Sequence, residues 1–301
     1  MADVTDAAFR RLIAKHSKSK DGKLDVMWTE FTSADGLCSA GKNKLLHLLE
    51  FSEKERPIVA QLFGAKPDTL RRAAALVAKL GFDGVDINMG CPDRAVEKQG
   101  GGAALIKNPK LARELIRAAR EGAGKLPVSV KTRIGYNKNE LATWLPELLA
   151  EEPAAIIIHA RTRKEMSNVP ARWEHIREAV AIRNQLKSKT LIIGNGDVND
   201  LADAYEKVKM SGADGAMIGR ALFGRPWLFS RLNLSTDLRF NLSILLEHTK
   251  LFDKILGKHK SFAVMKKHFK AYVTGFPGAK ELRAKLMVTK NAAEVKKILK
   301  I

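Results

Sequence analysis

The chain has 301 residues, 45% of them apolar, which is enough to build a substantial core and excludes a disordered chain. Its 53 Lys and Arg against 33 Asp and Glu leave a formal charge of +20, a balance that favours a polyanionic partner such as nucleic acid or an anionic membrane surface. No apolar run approaches the roughly 18 residues that span a bilayer, residues 1–6 lack the basic and apolar regions of a signal peptide, and the two distant cysteines, Cys38 and Cys91, exclude a disulfide scaffold and fit a reducing cytoplasm.

A helix is expected over residues 5–16. Short apolar runs then alternate with longer helical patterns. The runs that read as strands are 24–28, 57–63, 84–88, 127–133, 154–159, 190–194 and 215–219, and the helical stretches between them include 68–80, 109–120, 141–151, 173–186 and 200–210. Pro109 suits a helix first turn, and Asp68 suits the positive end of a helix dipole. Continuously apolar strands, each followed by a helix, indicate a parallel sheet covered by helices. From residue 238 the pattern is helical only, over 238–256, 261–273, 279–287 and 292–300, with a turn at Gly275-Phe276-Pro277-Gly278. This tail is rich in lysine, from Lys258 and Lys260 to Lys297 and Lys300, and reads either as a solvated surface or as a phosphate-binding one.

Nearly every strand ends in a polar side chain: Glu30, Gln61, Asn88, Lys131 with Arg133, His159, Asn195 and Arg220. One such residue at the end of each successive strand is the layout of a barrel active site, whereas an open sheet gathers them at one switch point. The expected fold is therefore an α/β (β/α)8 TIM barrel over residues 1–237, followed by a basic all-helical domain over 238–301. Seven strands are legible rather than eight, so the barrel reads as lacking its first strand, and that strand is expected upstream of Met1.

Asp86-Ile87-Asn88-Met89-Gly90-Cys91-Pro92 is the most informative segment. It presents a thiol directly after a barrel strand, readable as a buried structural cysteine or as a proton donor, since an unperturbed thiol stays protonated at neutral pH. The run Gly100-Gly101-Gly102 that follows is either a flexible loop or backbone lying close to a ligand, and it lacks the lysine of a phosphate-binding nucleotide loop. Lys131 and Arg133, two apart on one strand, point to the same side and suit an electron-accepting ring or an anion. The segments 194–198 and 217–220 end the last two strands with small residues and an arginine, a frequent place for a phosphate in barrels and one that suits FMN.

Taken together, these motifs resemble the tRNA-dihydrouridine synthases, FMN-dependent enzymes that reduce uridine in tRNA. The resemblance is carried, in order, by Met1-Ala2-Asp3-Val4-Thr5-Asp6, Gln61-Leu62-Phe63-Gly64, the segment around Cys91, Lys131-Thr132-Arg133, His159-Ala160-Arg161-Thr162, and the segments 194–198 and 217–220. It implies that Met1, Ala2, Gln61, Lys131, His159, Asn195, Gly196, Asp197, Gly219 and Arg220 hold FMN. It also implies that Cys91 is the catalytic proton donor, that Asn88, Arg133 and Arg161 contact the substrate, and that the helical tail docks tRNA. NADPH is the electron donor by the same resemblance, and no metal, membrane or protein partner is expected. Two departures stand out. Ser167 occupies a position where the family often has an aromatic residue, and of the family's opening Ala-Pro-Met only Met1 remains.

The implied reaction delivers hydride to uracil C6 from reduced flavin and a proton to C5 from Cys91. Lys131 would stabilise the reduced flavin's negative charge, and the target base would leave its stack to reach the barrel mouth. Two alternatives remain at this stage. One is an FMN barrel oxidoreductase acting on a free small molecule such as a pyrimidine, and the other is a catalytically inert tRNA-binding protein.

Overall fold

The computed structural model describes residues 3–17, 25–230 and 237–300. Along the chain the strands are β1 (Met27–Trp28), β2 (Thr32–Ser33), β3 (Ile58–Phe63), β4 (Gly84–Asn88), β5 (Val128–Arg133), β6 (Ala155–His159), β7 (Leu191–Asn195) and β8 (Gly215–Met217). The helices are α1 (Ala7–His16), α2 (Ala34–Leu37), α3 (Pro67–Lys79), α4 (Arg94–Lys98), α5 (Pro109–Ala123), α6 (Leu141–Leu149), α7 (Glu174–Gln185), α8 (Leu201–Ser211), α9 (Leu238–Leu256), α10 (Met265–Tyr272), α11 (Ala279–Leu286) and α12 (Ala292–Leu299). The chain forms two compact units. One comprises Phe31–Leu46 and Ile58–Arg220, the other Met1–Glu30, His47–Pro57 and Ala221–Ile301.

In the first unit, β2 to β8 pair in sequence order and every pair is parallel. A doubly wound sheet reverses its order at a switch point. An order that never reverses, with right-handed crossovers, keeps all the helices on one face and is the winding of a (β/α) barrel. Among the described residues of this unit, no pair links β8 back to β2. The local chemistry explains the elements. β4 is buried along its whole length, as a strand between helices and interior must be. Pro109 occupies the first turn of α5, where Asn108 Oδ1 caps the Leu111 N–H at 3.2 Å, and Asp200 caps α8 through the Asp203 N–H at 2.9 Å.

Each of the seven expected strands has a counterpart; β1 is shorter than expected, and Leu24 lies outside the described residues. The strand β2 is an addition, two residues too short to leave a periodic signal. The stretch after Cys91 is also more ordered than a flexible glycine loop. Asp93 caps α4, and residues Gly102–Lys107 form a 3₁₀ helix. Gly102, at φ +60°, lies so close to the Cys91 carbonyl that a Cβ would stand 2.7 Å from its oxygen. Gly102 therefore serves close contact between protein backbones.

The second unit is mainly helical, and its core differs from a simple tail beginning at residue 238. The buried face of α1, with Phe9, Leu12 and Ile13, shares one cluster with Ile244, Phe252, Phe269, Leu286 and Val295. Asp6 caps α1, and the buried Arg10 pairs with the buried Glu55 at 2.8 Å. Glu30, expected among the functional strand-end residues, here binds Lys260 at 2.8 Å. The other tail lysines named for this region, Lys258, Lys297 and Lys300, are exposed. Among the described residues, no helix is long and apolar enough to cross a membrane.

Candidate active site

The register of the barrel sheet brings the strand-end residues together. Asn88 pairs with Lys131, and Arg133, His159, Asn195 and Met217 lie in one row across β5 to β8. In a parallel sheet, registered neighbours point to the same face, so the row presents its side chains together. Lys131 Nζ donates to Asn195 Oδ1 at 2.9 Å, and Asn195 Nδ2 donates to the Met217 carbonyl at 2.8 Å. Burial, with Arg133 close by, pushes the Lys131 ammonium down to about 8. His159 is pushed down to about 2 by burial and then by Lys131, Arg133, Arg161 and Arg220, so it is neutral. Its Nε2 lies 3.0 Å from Arg161 Nη1; a guanidinium only donates, which leaves Nδ1 as the protonated nitrogen.

Asp197 ties the far side of this cluster. Its carboxylate accepts from Arg161, from Arg220 Nη2 at 2.6 Å and from the Ala171 N–H at 2.9 Å. Gly196 beside it has φ +120°, and a Cβ there would stand 2.8 Å from Ala171 and 3.1 Å from the His159 ring, so only glycine fits. The Arg220 side chain stays 60% exposed despite its ion pair, which leaves it accessible to a ligand. Gly219 follows β8 directly before Arg220.

On the other side stands Cys91, half-buried on the turn after β4. Asn88 Oδ1 accepts from the Gly90 and Cys91 N–H groups at 3.1 and 2.9 Å, so the strand-end amide shapes the turn that carries the thiol. Burial pushes the thiol's pKa up, and a hydrogen bond from the Asp93 N–H and then the Arg133 charge oppose it without reversing the direction. The site thus combines a protonated thiol, a neutral imidazole and a group of cations around one carboxylate. That set suits an anionic ligand and proton delivery to a substrate.

The family model for dihydrouridine synthase (Dus) matches residues 1–301. The chain belongs to the dihydrouridine synthase family. It is accordingly a flavin-dependent oxidoreductase acting on a carbon–carbon double bond of uridine. A probable tRNA-dihydrouridine synthase of Staphylococcus aureus (strain MRSA252) is 40% identical over 302 residues, covering 99% of this chain and 90% of that protein. Probable tRNA-dihydrouridine synthase 2 of Bacillus subtilis (strain 168) is 41% identical, covering 99% and 91%. Among solved structures, a 2-naphthoyl-CoA reductase complex matches the fold with a TM-score of 0.53 at 14% identity, over 76% of this chain and 46% of that one.

Within this family member, the two arginines expected at the substrate are committed to protein groups. Arg133 donates through Nε to the Gly90 carbonyl at 2.8 Å and through Nη1 to the Thr162 and Met166 carbonyls, each at 3.0 Å. Arg161 is 2% exposed and donates to His159, Asp197 and the Val169 carbonyl. Both therefore brace the loop 162–172, where Ser167 stands. Met1 and Ala2 lie outside the described residues. Among the described residues, no group of three or more His, Cys, Asp or Glu could hold a metal ion.

Sequence reasoning missed several residues that build the site. Arg163 grips Glu97 of α4 in a two-pronged ion pair, with Nε at 2.9 and 3.1 Å from the carboxylate oxygens, and so ties the Cys91 segment to the loop after β6. Trp173 donates its indole N–H to the Gly196 carbonyl at 2.8 Å and packs against Gly194. Asp86 is completely buried beneath Gln61 and Asn88. Of these only Asp86 left a signal, as an acidic residue inside an apolar strand, two places before Asn88.

Proposed function

We propose that this protein reduces the C5–C6 double bond of uridine in tRNA, with FMN as its bound flavin and NADPH as electron donor. The residues fit such a cofactor. A lysine whose hydrogen-bond partner is a neutral amide, a turn where only glycine fits, and an accessible arginine form a cationic cradle for a phosphorylated, electron-accepting ring. Gln61, Lys131, His159, Asn195, Gly196, Asp197, Gly219 and Arg220 would hold it. When bound, the flavin supplies the hydride for uracil C6.

The chain's own residues supply the rest. The Lys131 ammonium balances negative charge, and neutral His159 offers its Nδ1–H as a donor without adding a charge. Cys91 gives its thiol proton to C5, becoming a thiolate that solvent reprotonates. Asn88 and Arg133 shape the uracil pocket, Asn88 through the Cys91 turn and Arg133 through the carbonyls of residues 90, 162 and 166. The exposed lysines of residues 238–301 provide phosphate contacts for tRNA. Two free cysteines and a tRNA substrate are consistent with a reducing cytoplasm.

The observation that carries this reading is the half-buried, protonated Cys91 held on the turn after β4, beside the Lys131–Asn195 pair. The test is reduction of tRNA lacking dihydrouridine by FMN-loaded protein and NADPH, with free uridine as the comparison substrate. Reduction of free uridine alone supports the small-molecule alternative, and flavin binding without turnover of either substrate supports an inert scaffold.

A further inference from the structure

Beneath the strand ends lies a charged group for which the chemistry above has no use. Asp86 is fully buried in β4 and points to the same side of the strand as Asn88. A carboxylate cut off from water needs hydrogen-bond donors. Ser129 Oγ donates to Oδ1 at 2.6 Å, and Gln61 Nε2 donates to Oδ2 at 2.7 Å. Gln61 Oε1 in turn accepts from Asn88 Nδ2 at 3.0 Å, and Asn88 Oδ1 accepts from the Gly90 and Cys91 N–H groups.

An amide side chain can turn over and exchange donor for acceptor, so a single amide pair has no fixed sense. Here both ends are fixed. The carboxylate accepts and the backbone N–H groups donate, and only one orientation of Gln61 and Asn88 satisfies both. If Gln61 turned over, its carbonyl would face the carboxylate and Asn88 would meet an N–H₂ group where it needs an acceptor. Asp86 is thus the buried end that anchors this chain of hydrogen bonds, as the two backbone N–H groups are its other end.

We propose that Asp86 is a positioning residue that, through Gln61 and Asn88, holds the turn carrying Cys91 and so sets where the thiol stands. The proposal rests on reading Cys91 as the proton donor. Burial pushes the Asp86 carboxyl up to about 6, with Lys131 the charged group that opposes this, so the fold keeps a charge that an apolar side chain would spare it. Such a group is retained for what it orients.

The test compares three substitutions in the flavin-loaded full chain. Asp86→Leu removes both acceptors and keeps the branched shape in a larger side chain. Asp86→Thr is one bond shorter, keeps a polar partner for Ser129 and cannot reach Gln61; it serves if the leucine variant fails to fold. Asp86→Asn still offers an oxygen to Gln61, while the Ser129 hydroxyl turns to accept. The readouts are the alkylation rate of Cys91 by iodoacetamide, measured on its own peptide with Cys38 as the internal reference, and kcat and KM with tRNA. Loss of one buried hydrogen bond that holds a turn corresponds to roughly a 10-fold effect, so Leu and Thr should speed Cys91 alkylation and lower kcat by about that factor with KM little changed, and Asn should stay within about threefold of wild type. A folded Thr variant with wild-type alkylation overturns the proposal, and so does an Asn variant as disturbed as the Leu variant. Alkylation needs no turnover. If it shifts as expected while Cys91→Ala stays active, the positioning role stands and the proton-donor reading fails.

Discussion

At Cys91 burial and the nearby carboxylates pull in the same direction. Burial raises the thiol's pKa with help from Asp93 and Glu97, and the Asp93 N–H and Arg133 lower it without reversing the direction, so the group keeps the proton it is proposed to give. Replacing Cys91 by Ala should leave FMN affinity nearly unchanged and cut tRNA reduction by roughly 10²–10⁴-fold, the range for losing a positioned general acid. Single-turnover oxidation of the reduced enzyme by tRNA measures this, and near-normal rates would remove Cys91 from the chemistry. Lys131 offers a test by pH. Its ammonium is pushed down to about 8, and an anionic ligand favours the charged form. FMN should therefore bind tightly below that value and more weakly as the pH rises through it. Flavin fluorescence titrations should show this weakening between about pH 7 and pH 9 in the wild type and its absence in Lys131→Met. A flat wild-type profile contradicts the role. Asp86→Asn tests the cost of the buried charge. An acid whose pKa is raised on folding, here from 3.8 to about 6, penalises the native state above about 6 and not below 3.8. The Asn variant should melt higher than wild type at neutral pH, and the gain should vanish near pH 4. Cys91, Lys131 and His159 were legible in the sequence because a polar residue at the end of an apolar strand has few structural reasons to be there. The commitments of Arg133 and Arg161 were not, since a guanidinium's partners depend on loops that carry no periodicity.

Among the elements, the segment after β4 departs furthest from its sequence reading. Three successive glycines suggest flexibility, yet Gly102 is pinned between the Cys91 carbonyl and Val96, 2.9 Å from where its Cβ would be. Gly102→Ala combines that clash with a left-handed φ, so it should destabilise the protein by more than about 1 kcal/mol and loosen the Cys91 turn. Thermal melts check the first effect, and an unchanged Tm would mean the segment yields more easily than its packing implies. The strands β3 to β6 were legible to within one residue because their largely buried length leaves a continuous apolar run. The short helix α4 and the strand β2 were not, because neither is long enough to repeat a pattern. The Arg163–Glu97 pair joins residues 66 apart, and such a pairing is visible only once the loops are folded.

At the scale of the molecule, the +20 charge and the shared core of the helical unit have to be considered together. Phe9 and Leu12 of α1 belong to the same cluster as Phe252 and Phe269, so deleting residues 238–301 would expose that core and confuse loss of binding with loss of folding. The boundary at 237/238 was drawn from a shift in composition and the loss of strand pattern, and long-range burial, which neither records, places α1 with the tail. Substitution is the cleaner experiment. Changing the exposed Lys266, Lys270, Lys280 and Lys285 to Ser should weaken tRNA binding and flatten its salt dependence by up to about 0.9 in log–log slope for each phosphate no longer neutralised, with FMN affinity unchanged. Filter binding across a salt series reads this, and an unaltered slope assigns those lysines to solvent. The central claim is tested most directly by incubating FMN-loaded protein and NADPH with tRNA lacking dihydrouridine and mapping the product by mass spectrometry. The account predicts dihydrouridine at defined tRNA positions with the wild type and its near absence with Cys91→Ala. Unmodified tRNA after full reduction of the flavin, or equal product from the Cys91→Ala protein, would contradict it.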